Sequence, residues 1–303
     1  MPRGIEVANR EFRKLLKPDS RLRKIASGMG FAEGTVWWSK KRRLIWSDIP
    51  KNRLMEWTEA GGARVFRGPS GNSNGNTIDI EGNLLTCETS GRCVTLTDPR
   101  GNVRTLVDRH RGMRLNSPND IVVKSDGSVW FSDPDYGVLL ADLGHGKPRE
   151  VDGNYVYRLD PSTGRLDVVA DDFQKPNGLT FSPDEKLLYI GDSGRTHDEK
   201  KGNHHVRVFS VAGGGQLRGG KVFAVVDPHV PDGMRVDTLG NLFVTAGDGV
   251  QVYGPGGGLL GKIRTPEVAA NCAFGGRGRS TLFIAATSSV WAIDLNTAGA
   301  SRT

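Results

Sequence analysis

The sequence predicts an all-β fold, a six-bladed β-propeller, and three observations carry that prediction. A short phrase recurs at the head of successive strand blocks: Pro118-Asn119-Asp120, Pro176-Asn177-Gly178 and Pro231-Asp232-Gly233, with Glu33-Gly34 opening an earlier block and Asn271-Cys272 a later one. After each phrase comes a short apolar run, a turn with Asp, Gly or Asn, and a second run ending in a small or acidic residue. The 303 residues include 41 glycines, which suits many short strands joined by turns. A length prior alone divides such a chain into about two domains of roughly 150 residues, but a repeat overrides that prior.

Residues 1–27 read as an N-terminal segment and 28–303 as one propeller domain. In the segment, Ile5, Phe12, Leu15 and Leu16 fall on a loosely helical spacing with charges between them. One short helix is expected, then an extended piece, Leu22-Arg23-Lys24-Ile25-Ala26. From residue 30 the pattern is strand and turn. Block one runs Thr35-Val36-Trp37-Trp38, Leu44-Ile45-Trp46, Arg53-Leu54-Met55-Glu56-Trp57 and Ala63-Arg64-Val65-Phe66. Block two opens at Asn74-Gly75-Asn76, and blocks three to six open at Asn119, Asn177, Asp232 and Asn271. The turns Ser125-Asp126-Gly127, Ser182-Pro183-Asp184-Glu185 and Thr238-Leu239-Gly240-Asn241 carry tight-turn residues at matching places. Block six shows three clear strands before Thr303. The extended piece at 22–26 is expected to supply the missing outer strand, closing the ring and removing an open edge.

Composition narrows the function classes. Cys87, Cys93 and Cys272 are an odd number without metal-ligand spacing and read as buried residues of a reduced protein. The stretch Met1-Pro2-Arg3-Gly4-Ile5-Glu6 lacks the apolar core and cleavage site of a secretory signal, so a cytoplasmic location is expected. No apolar stretch nears the length of a membrane span, and no membrane partner is expected. The net charge of +7 is scattered, with clusters at 40–43 and 109–114 and no RNP-type or zinc-finger signature. No nucleic-acid partner is expected; a monomer or weak dimer is.

The recurring phrase carries the chemistry. In a propeller the first strand of each blade lines the central channel, so equivalent residues of several blades face each other near one mouth. The prolines hold the phrase extended, and the glycines at 34, 178 and 233 let backbones crowd toward the axis. Glu33, Asn119, Asn177 and Asp232 would then present two carboxylates and two amide oxygens to one point. An all-oxygen set with charge −2 selects one hard divalent cation, Ca²⁺ in preference, with Mg²⁺ or Mn²⁺ as alternatives. Such residues also cap strand starts singly; four in one register favour the metal. Four protein ligands leave coordination positions open for water and a substrate oxygen.

Glu33-Gly34-Thr35-Val36-Trp37, Ser117-Pro118-Asn119-Asp120, Phe131-Ser132-Asp133-Pro134, Pro176-Asn177-Gly178-Leu179 and Pro231-Asp232-Gly233-Met234 resemble the SMP-30/gluconolactonase/luciferin-regenerating-enzyme-like family, in its order and over about residues 27–295. Asp133-Pro134-Asp135-Tyr136-Gly137 and the stretch from His204 to Phe209 look most like its bacterial gluconolactonases. The resemblance implies a six-bladed propeller with one central divalent cation. It implies Glu33, Asn177 and Asp232 as metal ligands, and Asn119 as a fourth ligand or a substrate contact. It also implies hydrolysis of a small sugar lactone, chiefly glucono-1,5-lactone. Thr89 stands where many bacterial relatives carry His.

On that reading Asp232 is the candidate catalytic residue, a general base for the attacking water. A ligand-only role with hydroxide attack, and direct nucleophilic attack, are its alternatives. Glu88 and Asp192 are candidate substrate contacts, while Asp48, Asp133 and Asp192 also suit capping of strand ends. Asp120, next to Asn119, is expected to point off the axis by strand alternation. His204 and His205 are expected in an exposed loop, 109–114 at the rim of the mouth, and 137–153 as an insertion able to form a lid. An organophosphate or other ester hydrolase on the same metal, and a binding scaffold with a structural ion, are the competing functions.

Overall fold

The computed structural model of the chain describes residues 4–139 and 146–300. Six antiparallel sheets of four or five strands form a six-bladed propeller. The innermost strands are Ala32–Trp38, Ser73–Ile78, Ile121–Val123, Pro176–Phe181, Met234–Val236 and Ala269–Gly275. Each neighbours the next around the channel, and the last lies against the first.

Strands in the middle of a blade are buried on both faces because each blade is covered by its two neighbours. Arg43–Asp48 shows how period-two alternation divides the load. Leu44 and Trp46 face Phe283 and Ala292 of blade six. Ile45, on the other face, joins Leu54 and Leu84 of blade two. A register slip of one residue would turn every one of these contacts around.

The ring closes as the sequence leads one to expect. Arg23–Ser27 pairs antiparallel with Ser289–Asp294, placing Arg23 opposite Ala292 as the outer strand of blade six. The start of the segment differs from expectation. Ile5 is not helical: Ile5–Val7 pairs with Leu259–Arg264 and gives blade five a fifth strand. The alternating Ile-Glu-Val triplet satisfies its backbone on the open edge of that blade. The helix spans only Arg10–Lys14 and begins where the Asn9 side chain accepts the Glu11 N–H. Its purpose is burial, since Phe12 and Leu15 sit in the core beside Val252, Ile263 and Leu295.

Deleting residues 1–27 should therefore cost more than an ordinary tail. It strips the outer strand from blade six and removes Phe12 and Leu15, each worth about 2–3 kcal/mol of burial. The expected result is a melting temperature lower by about 10 °C or more, or no soluble folded protein; a truncated chain melting with the intact one would show that the ring closes without this segment.

No helix among the described residues is long and apolar enough to cross a membrane.

Candidate functional site

The site is positioned before any site residue is reached. Asp48, Asp133 and Asp192 each end a second strand, and each grips the backbone just ahead of its own blade's headword residue. Asp48 accepts the N–H groups of Gly30 and Phe31 at 2.8 and 3.4 Å. Asp133 accepts those of Asn116 and Ser117, both at 2.8 Å. Asp192 accepts those of Gln174 and Lys175 at 3.1 and 2.9 Å, and the Asn203 amide at 2.9 Å. The chain thus enters Glu33, Asn119 and Asn177 from a fixed direction.

The headwords are then stitched to one another. A methyl group built on Gly34 would lie 1.8 Å from the Asn74 carbonyl oxygen, on Gly75 2.4 Å from that of Asn119, and on Gly178 2.1 Å from that of Asp232. On Gly233 it would lie 2.4 Å from the Asn271 amide nitrogen. Each of these glycines admits the headword of the following blade. The Gly75 N–H donates to Asn119 O at 2.7 Å and the Gly233 N–H to Ala270 O at 2.8 Å.

Glu33, Asn119, Asn177 and Asp232 come together as expected, on a cavity of about 300 Å³ at one mouth of the channel. Three of the four are withdrawn from solvent, Glu33 at 4% exposed, Asn177 at 5% and Asn119 at 8%, while Asp232 keeps an intermediate exposure. The Asn177 side chain favours the charged form of Asp232, and the carboxyls of Glu33 and Asp232 act on each other. Burial, partly offset by the Gly34 N–H, pushes the Glu33 carboxyl up to about 7. Burial, then the charges of Glu33 and Asp120, hold Asp232 well above the usual carboxylate range. Two carboxyls forced into contact must share a proton or a cation.

Asp120 corrects an expectation. Regular strand begins only at Ile121, so alternation does not govern it. Asp120 takes the place that glycine holds after the headwords of blades one, two, four and five, and it is 1% exposed. Its Oδ2 lies 3.7 Å from an Arg235 nitrogen and accepts the Leu179 N–H at 3.4 Å; its Oδ1 has no partner. The residue reaches toward the axis, and its charge is felt by both Glu33 and Asp232.

Two expected substrate contacts lie elsewhere. Glu88 does not line the cavity: it accepts hydrogen bonds from Arg67 at 3.0 Å and Thr95 at 2.9 Å. It pairs with Ser73 just as Asp192 pairs with Pro176, so it stands at blade two's clamp position. Asp192 is fully buried by its backbone-gripping role and also stays off the cavity wall. The 109–114 stretch forms a hairpin and contributes nothing to the lining. His204 and His205 are half-buried rather than exposed and likewise do not line it. None of the described residues of the expected lid at 137–153 lines the cavity, although the adjoining Tyr136 and Ser117 do; residues 140–145 lie outside the described residues.

Other lining residues went unranked in the sequence. Asn74 is blade two's headword and completes the amide ring. Thr89, Thr196, His197 and His229 come from loops of blades two, four and four-to-five, while Phe31, Ile49 and Val230 make an apolar wall. Tyr136 stacks on His197 with centroids 5.5 Å apart.

A divalent cation fits this donor set. The Oδ1 of Asn177 is buried without a partner among the described residues, and it lies beside two carboxyls that burial drives toward protonation. Among the described residues no three His, Cys, Asp or Glu side chains cluster to hold a metal; here amide oxygens must make up the set, as hard cations accept.

A closed ring of six blades, with carboxylate and amide oxygens delivered to its axis by successive inner strands, defines the class of protein. The profile of the SMP-30/Gluconolactonase/LRE-like region matches residues 31–288, and the chain belongs to that family. A gluconolactonase from Zymomonas mobilis subsp. mobilis is 34% identical over 299 residues, covering 91% of this chain and 81% of that one. A solved gluconolactonase structure from Xanthomonas campestris superposes with a TM-score of 0.90 at 35% identity, covering 96% of this chain and 94% of that one. Pentonolactonase XacC of Haloferax volcanii is 27% identical, covering 83% and 80%.

Proposed function

We propose that this protein is a metal-dependent hydrolase that opens a sugar lactone, glucono-1,5-lactone to gluconate. The carrying observation is the convergence of Glu33, Asn119, Asn177 and Asp232 from four blades on the floor of one cavity. Relatives named gluconolactonase and pentonolactonase support the substrate class.

Glu33, Asn119, Asn177 and Asp232 would hold the cation, Ca²⁺ in preference. When bound, it supplies Lewis-acid stabilisation of the negative charge that develops on the lactone carbonyl oxygen. Asp232 takes a proton from the water that adds to the carbonyl carbon. As a carboxylate beside the water, it is the group in the set able to accept that proton. The ring C–O bond then breaks, and the proton passes to the departing alkoxide, leaving a hydroxy acid.

Removal of the cation is the test. Dialysis against EDTA should reduce turnover of glucono-1,5-lactone, followed by pH-stat, by about 100-fold or more, and Ca²⁺ should restore it. The melting temperature should fall with it, because Glu33 and Asp232 are left facing each other. Full turnover by metal-free protein would refute the reading.

A further inference from the structure

We propose that Thr89 is the residue through which this cavity reads a hydroxyl group on the ring of its substrate, an inference that rests on the lactone reading above. Thr89 lines the cavity and is 3% exposed, yet its Oγ1 has no hydrogen-bond partner among the described residues. It is alone in this among the hydroxyls of the described cavity wall. The Ser117 hydroxyl donates to Pro134 O at 2.6 Å and accepts the Gly137 N–H at 2.9 Å. Thr196 donates to Ser193 O at 2.8 Å, and the Tyr136 hydroxyl meets Thr196 Oγ1 at 3.4 Å.

The direction of the free hydroxyl is set by packing. The Thr89 N–H donates to Asn72 O at 3.2 Å, and its carbonyl accepts the Arg92 N–H at 3.3 Å. Its methyl occupies space left by a missing side chain, since a Cβ on Gly137 would lie 2.4 Å from Thr89 Cγ2. With backbone and methyl fixed, the hydroxyl cannot turn to a protein acceptor without losing that contact. A buried hydroxyl left unpaired is costly. A ring hydroxyl, which both donates and accepts, is its chemical match. A lactone lacking that group leaves Thr89 unsatisfied, and sites of this kind reject such analogues far more strongly than apolar pockets reject a missing methylene.

The test compares glucono-1,5-lactone with δ-valerolactone, which has the same ring and carbonyl but no hydroxyls. In Thr89→Val, which keeps shape and removes the hydroxyl, the ratio of kcat/KM for the hydroxylated over the bare lactone should fall by about tenfold or more. Thr89→Ser should hold the ratio within about threefold of the parent. Thr89→Ala, which cannot crowd Gly137, repeats the loss. The melting temperature of Thr89→Val should stay level or rise, because the hydroxyl bonds nothing in the protein; a hydroxyl with a structural task would lower it. An unchanged ratio, or equal losses on both lactones, overturns the assignment while leaving lactone hydrolysis intact. If the parent protein opens neither lactone, the functional reading fails, and this inference fails with it.

Discussion

Replacing Asp232 by Asn should lower kcat for glucono-1,5-lactone by a factor on the order of 10³ while the ring stays folded. The two expectations come from the same geometry. Asn cannot accept the water's proton, and one of the two carboxylates that would hold the cation is gone. Yet the substitution also removes one of two carboxyls pressed together in a buried site. The new amide can donate to Glu33 where two charges would have repelled, and the Asn177 amide can still donate to its oxygen. The melting temperature of the metal-free variant should thus equal or exceed that of the metal-free parent. Loss of turnover with retained stability assigns Asp232 to the reaction. Turnover within tenfold of the parent would show that neither the proton transfer nor the hold on the cation depends on this carboxylate.

What was legible in the sequence was what repeats. An oxygen-bearing residue, followed by Gly in four of the six blades, marks the inner end of a blade because these blades meet the same two demands. Each must offer an oxygen to the axis, and each must let the next blade's backbone pass. The outer strand of blade six was legible for a related reason: a ring short of one strand needs an extended segment, and 22–26 was the one on offer. Asn74 carried the same Asn-Gly pair but lacked the proline, and it was passed over as a candidate. Asp120 was misread because alternation holds only inside regular strand, and its blade's inner strand starts one residue later.

The remaining cavity wall could not be found by periodicity. Thr89, His197, His229 and Val230 sit in loops of different lengths and Tyr136 opens a short helix, and nothing in their spacing relates them. Only closure of the ring brings those loops to one mouth. Glu88 and Asp192 invite a substrate role for the opposite reason. An acid at the end of a second strand recurs at 48, 88, 133 and 192, and recurrence invites a functional reading. For 48, 133 and 192 its cause is mechanical, since these carboxylates hold the entry to each headword.

Gly34→Ala should destabilise the protein by about 4 kcal/mol or more, the largest structural effect expected of any single methyl group here. Two causes add. Gly34 has φ +58°, where a side chain costs about 1–2 kcal/mol. In addition, the new methyl would lie 1.8 Å from the Asn74 carbonyl oxygen and 2.7 Å from its carbon. That oxygen belongs to backbone held by the Ser47 hydroxyl at 2.6 Å, so it cannot yield without moving blade two. Two further glycines separate the causes. Gly28 has φ +89° and nothing within 4 Å, so Gly28→Ala should cost only the conformational share, about 1 kcal/mol. Gly178 has no positive φ, but its methyl would lie 2.1 Å from the Asp232 carbonyl oxygen. Gly178→Ala should therefore cost several kcal/mol and depress turnover in whatever fraction remains folded, because the displaced backbone carries Asp232. Thermal melts of the three variants, with turnover measured below the transition, read both effects. Equal destabilisation at Gly28 and Gly34 would mean that strain in φ, and not the close passage of one headword past the next, holds the axis together.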